Sequence, residues 1–360
     1  MSRADPSTDR PEPVEGRALR AGTSVGPYKD DHTRGRRGGP ACLPELLARI
    51  ADLELVARIV VEGLVSGLHR SPFHGYSAEF SQYRHYRPGD DLKYVDWKLV
   101  ARTDRVYTKQ FRETTNMAAG IVIDTSASMG FPLGRRSAVA SEGAKAAAAG
   151  ISKIRYALIA SAALAHVISM QGDAVGVMAA RGDTPLYLAP RTGRQHVRSV
   201  LAALSSIAAH GSWRAGETIR RAAELLKRPG LLLIFSDFYD AESDAADRGV
   251  GAPGVNNALR RASAMGHEVV LFQIMSRDEL ELPYRQDLEF TDLETGQRLA
   301  VNAGHARRDY KDAVAAFLER SRRRAAAEGF QYVLVVTDMP PDRVLRNFLL
   351  ARSRSPRSQG

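Results

Sequence analysis

The sequence predicts an α/β protein built on a mainly parallel, doubly wound sheet flanked by helices, and three observations predict it. The run 118–123, Ala-Ala-Gly-Ile-Val-Ile, is short and apolar and stops abruptly at Asp124. Such a run, closed by polar turn residues, reads as a strand buried on both faces of a parallel sheet. A second run, Leu231-Leu232-Leu233-Ile234-Phe235, stops in the same way at Ser236-Asp237-Phe238. Around these two, strand-like and helix-like stretches alternate for more than 200 residues, the pattern of parallel strands joined by crossover helices. Open α/β sheets bind ligands outside the carboxyl ends of their strands, so both acids are expected at a binding edge.

The elements follow in order. Residues 1–38 carry Pro, Gly, Arg, Asp and Glu with few large apolar side chains, too little to offset the entropy of ordering, and are expected to be disordered. Residues 39–115 read as a helix and a small β module. The helix is expected over 43–68, where Leu46, Leu47, Ile50, Leu53, Leu55, Val56, Ile59, Val60 and Leu64 form an apolar stripe that Gly63 and Gly67 bring to an end. The stretch 71–105 then places Arg84, Arg87, Lys93, Lys98, Arg102 and Arg105 among Glu79, Asp90, Asp91, Asp96 and Asp104, with Tyr83, Tyr86, Tyr94 and Trp97 between them. It reads either as a β module fastened to the main domain or as a docking face for another protein, because Tyr, Trp and Arg anchor interfaces. A strand over 106–111 completes it.

Residues 116–352 form the main domain. After the strand ending at Asp124, the Ala-, Gly- and Ser-rich segment 131–150 reads as an insertion, followed by a helix over 152–170. Strands are expected at 174–179 and 185–188, helices at 195–208 and 219–227, and the strand at 231–235. A helix at 257–265, a strand at 268–274, a hairpin over 288–301 turning at Thr295-Gly296, a helix at 306–328, a strand at 332–336 and a helix at 342–350 follow. Residues 353–360 are expected to be a disordered basic tail.

Composition narrows the class. With 360 residues and 44% hydrophobic content the chain buries a sizeable core, and length alone allows one to three domains. No stretch of 18 apolar residues appears; the closest, 156–170, is broken by His166 and reads as a buried helix, so no membrane span is expected. The N-terminus lacks a signal-peptide pattern. Cys42 is the single cysteine, which excludes an internal disulfide and a cysteine-rich zinc site, and a cytoplasmic location is the expectation. Much of the formal charge of +10 lies at 320–324 and in the arginines of 343–357, neither interleaved with aromatics, so solvated faces and a frayed tail are expected first, steering of an acidic partner second, and nucleic-acid binding last.

The chemistry begins at Asp124-Thr125-Ser126-Ala127-Ser128. Alternate positions project to one side of an extended backbone, so Asp124, Ser126 and Ser128 converge. One carboxylate with two neutral hydroxyls suits a hard divalent cation that keeps some water, Mg²⁺ rather than Zn²⁺. The same pentapeptide also reads as a plain polar strand-to-helix turn with Asp or Ser as a cap.

The order Asp124-x-Ser126-x-Ser128, then Thr218 ahead of the later strand, then Asp237 after it, resembles the metal-ion-dependent adhesion site of von Willebrand factor A domains. Further motifs resemble the bacterial family called domain of unknown function 58: Gly-x-Ser-x-Glu-Phe at 75–80, Tyr-Arg-x-Tyr-x-Pro-Gly-Asp-Asp at 83–91, Asp-Trp-Lys at 96–98, and Ala-Arg-Thr at 101–103. The resemblance spans 43–352. It implies a von Willebrand factor A-like domain that accompanies a MoxR-type AAA+ ATPase. It also implies a Mg²⁺ or Mn²⁺ site in which Ser126, Ser128 and Thr218 ligate directly or through water, while Asp124 and Asp237 supply charge and orient waters. Ser212 is a rival hydroxyl for Thr218, and Asp338 reads as an ordinary loop residue.

Several chemistries lack their signatures. The stretch 130–137 lacks the spacing of a phosphate-cradling loop, and neither a Gly-x-Ser-x-Gly elbow nor a His-Glu-x-x-His pair occurs. Two function classes remain. One is a non-enzymatic binding module that captures a partner carboxylate through Mg²⁺, the partner being the MoxR-type ATPase or its client. The other is a Mg²⁺-dependent phosphatase or phosphotransfer enzyme with Asp124 as nucleophile. Such enzymes want an acid two residues after the nucleophile, and here that residue is Ser126, which favours the binding module.

Overall fold

The computed structural model of the chain describes residues 44, 47, 50–65, 78–88, 90, 95–113, 117–132, 151–181, 184–239, 254–284 and 287–353. The segments expected to be disordered at 1–38 and 354–360, and all but the start of the expected insertion at 131–150, lie outside the described residues. So do parts of the aromatic stretch, including Asp91, Lys93 and Tyr94.

A six-stranded mixed sheet forms the centre. Its strands are β3 (Ala118–Ile123), β4 (Ala174–Arg181), β5 (Thr184–Arg191), β6 (Leu231–Ser236), β7 (Glu268–Met275) and β10 (Gln331–Val336). Their order across the sheet is β10-β7-β6-β3-β4-β5. Five strands run parallel, and β5 returns antiparallel against β4 at the edge. The connection from β4 to β5 is two residues long, too short for a crossover, so the antiparallel edge follows from loop length. From β3 the chain builds outward to β4 and β5, then returns to β3's other side with β6 and continues to β7 and β10. The order therefore reverses between β3 and β6, the place where α/β sheets bind ligands.

Apolar side chains alternate between two faces. Ile121, Ile123, Leu231, Leu233, Phe235, Val270, Phe272 and Ile274 join one core, while Val122, Leu232, Ile234, Val269 and Leu271 join the other. The first core is covered by α1 (Leu53–Val65), α3 (Lys153–Met170), α4 (Arg194–Ser205) and α9 (Pro341–Ser353); Phe235 stacks on Phe272 with centroids 4.5 Å apart, and Phe348 of α9 meets Phe272 edge-on. The second is covered by α5 (Ala215–Leu225), α6 (Val255–Ala264) and Ala325 of α8 (Ala303–Ala327). Helix α3 is the one described helix long and apolar enough to cross a membrane, and 78% of it is buried inside this core.

The helix expected over 43–68 is interrupted: Pro44 and Leu47 are helical, with Leu47 in the first core, but residues 50–52 are not, and the helix resumes as α1. Asp52 accepts the backbone N–H groups of Glu54 (2.8 Å) and Leu55 (3.3 Å), so α1 begins at Leu53 and the chain breaks before it. Val56, Ala57, Val60, Val61 and Leu64 then face the sheet core. The arginines expected to fray are partly held: Arg346 donates to the Gly63 carbonyl, and Arg352 pairs with Glu268. The smaller module pairs β1 (Ala78–His85) with β2 (Tyr107–Glu113) in antiparallel register and carries a helix, α2 (Trp97–Thr103), that the residue pattern did not reveal. Asp96 caps it through the N–H groups of Lys98 (3.0 Å) and Leu99 (3.2 Å) and accepts the Tyr83 hydroxyl at 2.9 Å. Asp90 accepts from Arg84, Thr108 and the Arg87 backbone. These two acids bind within the module, leaving Trp97 62% exposed. The hairpin β8 (Asp287–Thr291) and β9 (Arg298–Asn302) turns through Gly296 at a φ of 72°, as Thr295-Gly296 implied.

Two predictions follow from positions that pin β6. A Cβ on Gly230 would lie 2.2 Å from the Ala118 carbonyl oxygen at the start of β3, and backbone cannot step aside without disturbing the β3–β6 register. Gly230→Ala is expected to cost about 3 kcal/mol, read as a fall in Tm of roughly 5–10 °C. Beside it, His267 is 5% exposed; its Nδ1 accepts the Gly230 N–H at 3.2 Å and its Nε2–H donates to the Ala223 carbonyl at 3.0 Å, so the fold holds it neutral. Burial lowers its pKa, the hydrogen bond to Ala223 opposing in part. The unfolded chain then binds the extra proton more readily, so stability is full above the ordinary histidine value near 6.5 and falls as pH drops through it. Thermal melts at pH 7.5 and 5.5 should show an acid loss that His267→Asn reduces.

Candidate functional site

The site lies where β3 and β6 end side by side. Ile123 pairs with Phe235, and the Asp124 N–H continues the ladder to the Phe235 carbonyl at 2.9 Å, so the two strand-end acids emerge as neighbours. The pleat sends them to different sides. Asp124 follows Val122 toward the α5 side, where Ser236 Oγ donates to its Oδ2 at 2.6 Å. Asp237 follows Phe235 toward the α3 side. Asp124 and Asp237 are 1% and 2% exposed, so two carboxylates share one dry corner.

The loop after β3 turns back over that corner. Ser126 N–H donates to Asp124 Oδ1 at 2.8 Å, and residues 127–130 form one turn of 3₁₀-helix that the residue pattern did not announce. The neighbouring strand of loop is held by two backbone bonds, Ala127 N–H to the Gly211 carbonyl and His210 N–H to the Thr125 carbonyl, both 2.8 Å. This turn sets Ser126 Oγ 2.9 Å from Ser128 Oγ, and Ser128 Oγ donates to Asp237 Oδ2 at 2.9 Å. Four of the five expected residues are thus joined by hydrogen bonds: Asp124, Ser126, Ser128 and Asp237.

Thr218 stands apart from this network. It lies inside the first turn of α5, which begins at Ala215 rather than after Thr218, and its backbone N–H is spent on the Arg214 carbonyl. Its half-buried hydroxyl makes no hydrogen bond to the other four among the described residues. Ser212, the rival, is exposed, although its neighbours His210 and Gly211 bond directly to the site loop. Asp338, read as a loop residue, pairs with Arg277 at 2.8 Å.

Two residues at the centre went unassigned from the sequence. Lys153 opens α3, is wholly buried, and places its Nζ 2.8 Å from Asp237 Oδ2 and 2.6 Å from Glu279 Oε1, with the Tyr239 ring 5.2 Å away. Burial alone would lower the pKa of this ammonium, but Asp237 and Glu279 outweigh burial and the net direction is upward, so it stays charged. A signal existed: a cation at a helix N-terminus opposes the helix dipole and needs carboxylates to hold it there. Glu279 belongs to α7 (Arg277–Glu281), where Ser276 and Glu279 form a capping box that fixes the carboxylate. The Ser-x-x-Glu spacing at 276–279 was readable as such a box.

The electrostatics are uneven. Asp237 has its cation, whereas Asp124 has only neutral donors. Burial, and then the charge of Asp237, push the Asp124 carboxyl up to about 7, with Ser236 and Ser126 opposing. The corner therefore lacks positive charge on the Asp124 side. The Ser126–Ser128–Asp237 oxygens stand 2.9 Å apart, the length of the hydrogen bonds that join them, which is also close to the roughly 3 Å between neighbouring ligands on an octahedron with bonds of about 2.1 Å. Among the described residues no three His, Cys, Asp or Glu side chains gather as metal ligands, so a cation here would rely on hydroxyls.

Comparison with known proteins places the chain. An uncharacterized protein of Mycobacterium tuberculosis and one of Mycobacterium bovis are each 28% identical over 259 residues, covering 70% of this chain and 72% of theirs. Among solved structures, a conserved hypothetical protein BatB from Bacteroides thetaiotaomicron matches 66% of this chain and 100% of its own at 14% identity, with a TM-score of 0.39. An aerotolerance-related membrane protein from Bacteroides fragilis, carrying multiple mutations to serine, matches 66% and 98% at 16% identity, with a TM-score of 0.40. The family model described as protein of unknown function DUF58 matches residues 82–320, from the β1 strand through the switch point to α8, and the chain belongs to that family.

Proposed function

We propose that this chain is a non-enzymatic binding module that holds Mg²⁺, or Mn²⁺, at the β3–β6 switch point and captures a carboxylate of a partner protein there. The observation that carries the reading is the run of oxygens from Ser126 through Ser128 to Asp237, spaced 2.9 Å apart beside a buried Asp124 that lacks a cation of its own. The ion would be held by Ser126 and Ser128, with Asp124 and Asp237 supplying charge and Thr218 or Ser212 reaching it through water. A bound divalent ion offers an outside carboxylate an open coordination position. The order of these residues along the chain, like that of the adhesion-type site of von Willebrand factor A domains, supports the same reading. The partner in this proposal is a MoxR-type AAA+ ATPase or its client, with the exposed Trp97 side of the smaller module as a second contact.

The geometry weighs against Asp124 as a nucleophile. One of its oxygens accepts the Ser126 N–H and the other the Ser236 hydroxyl, and the one buried ammonium at the site sits on Asp237 instead. The purified protein is therefore expected to turn over neither ATP nor p-nitrophenyl phosphate, measured as phosphate or nitrophenolate release with Mg²⁺ present. An activity lost in Asp124→Asn would replace the binding reading with the phosphotransfer one.

Calorimetric titration with Mg²⁺ should show weak binding of one ion per chain, lost in Asp124→Ala and in Asp237→Ala. If both variants bind as the parent does, the ion is held elsewhere. Co-purification of the ATPase should be EDTA-sensitive and abolished by Ser126→Ala combined with Ser128→Ala. Capture that survives both treatments would remove the metal from the interaction.

A further inference from the structure

Lys153 has no part in the metal reading as it stands, yet it occupies its centre. The ammonium shares Asp237 Oδ2 with the Ser128 hydroxyl, the oxygen that a cation bound at Ser126 and Ser128 would meet. It has a second seat already built. Glu279 Oε1 accepts it at 2.6 Å, while Glu279 Oε2 is fixed by the Ser276 N–H at 2.7 Å and the residue's carbonyl accepts the Tyr310 hydroxyl at 2.8 Å. Glu279 is thus immobilised by its own helix cap and by α8, and Lys153 can give up Asp237 without losing every partner. The Tyr239 ring, stacked on Phe317 of α8 at 5.3 Å, walls the same ammonium.

We propose that Lys153 is a tethered stand-in for the divalent cation: it neutralises Asp237 when no ion is bound, and ion binding transfers its ammonium from Asp237 to Glu279 alone. The proposal rests on the Mg²⁺ reading above and adds the regulation of that site. The physical argument is competition at one oxygen. An ammonium within hydrogen-bond distance of Asp237 Oδ2 repels a second cation on the same oxygen, and at this burial the repulsion is poorly screened. Either cation satisfies the acid; Oδ2 already carries the Ser128 hydroxyl and the Lys153 ammonium, and Oδ1 the Tyr239 N–H at 3.3 Å, so an ion drawn to Oδ2 competes with the ammonium. Two consequences follow. The corner folds without metal, because a buried Asp237 is never left unpaired. Occupancy also alters the load on Glu279, so the state of the site is transmitted to α7 and to the α8 contacts of Tyr239 and Tyr310 beside it.

The test uses the full chain in three forms: parent, Lys153→Met and Glu279→Gln. Mg²⁺ affinity is read by calorimetry, and Tm is read in EDTA and in excess Mg²⁺. Lys153→Met is expected to bind Mg²⁺ about tenfold more tightly than the parent, a difference of about 1.4 kcal/mol. It should melt well below the parent in EDTA and recover most of that loss in Mg²⁺, whereas the parent's Tm moves little. Equal Mg²⁺ affinity in the parent and Lys153→Met, with the Tm loss unrecovered, makes Lys153 a fixed structural ion pair and overturns the proposal while leaving the metal site intact. Weaker binding in Lys153→Met also overturns it, since Lys153 would then be positioning Asp237 for the ion. If no form binds Mg²⁺, the metal reading itself fails and the stand-in role falls with it. Should Lys153→Met not fold, Glu279→Gln decides: loss of the charged second seat should weaken Mg²⁺ binding severalfold, and unchanged binding refutes the transfer.

Discussion

Two carboxylates buried at adjacent strand ends are the constraint from which the rest of the site follows. Parallel pairing of β3 with β6 fixes Asp124 beside Asp237 at the point where the sheet's order reverses. An unpaired buried charge is expensive, and two like charges in one dry corner are more so. The fold meets this unequally. Asp237 receives a buried ammonium, a hydroxyl and a backbone N–H from Tyr239, while Asp124 receives one N–H and one hydroxyl. The asymmetry, not the presence of acids as such, is what separates this corner from an ordinary polar turn.

The surrounding core exists to hold that pairing in place. Strands apolar on both faces leave the register loose by pattern alone, and the buried polar pair tightens it: a one-residue slip of β6 would send Asp237 to the α5 side and leave Lys153 facing Ser236 or Phe238. Gln273 adds a second lock from β7: its Nε2–H donates to the Asp237 carbonyl at 2.8 Å and its Oε1 accepts the Tyr332 hydroxyl from β10 at 2.8 Å. Three adjacent strands thereby set the height of one aspartate. Phe238, at a φ of 60°, turns the chain away directly afterwards with its N–H on Ser236 Oγ, so Ser236 serves the turn and Asp124 at once.

Much of this was legible because the core strands are written as uninterrupted apolar runs that end in acids. Asp124, Ser126 and Ser128 were readable from that punctuation and from spacing, and Asp237 from its strand end together with the resemblance to the adhesion-type site. What escaped was chemistry whose meaning depends on a distant partner. Lys153 stands at the head of an apolar helix, where a lysine ordinarily reads as a solvated end; its role appears only when β6 brings Asp237 and α7 brings Glu279 to it, 84 and 126 residues away. Helix starts were displaced for a related reason. Apolar periodicity marks the buried face of a helix, not its first turn, so α5, α6 and α8 each begin ahead of the stripe that revealed them, and α1 begins where Asp52 takes the first free N–H groups. The short helices α2 and α7 bury no residue, so hydrophobic pattern had nothing to report there.

The same contrast bears on Thr218. A hydroxyl inside the first turn of α5 is fixed in direction by the helix, whereas Gly211, at a φ of 59°, and exposed Ser212 sit on a loop already bonded to the serine turn. If an ion draws the corner together, the exposed pair Gly211-Ser212 moves more cheaply than α5, whose Ala215, Ile219, Ala222 and Ala223 are packed into the second core along with Trp213. In the proposed site, helix-borne Thr218 would reach the ion through water without repacking that core, and Ser212 on the loop would be the easier of the two to bring closer to the same water. Which hydroxyl closes the shell is thus a question of packing stiffness before it is one of chemistry, because the two side chains offer the ion the same donor atom.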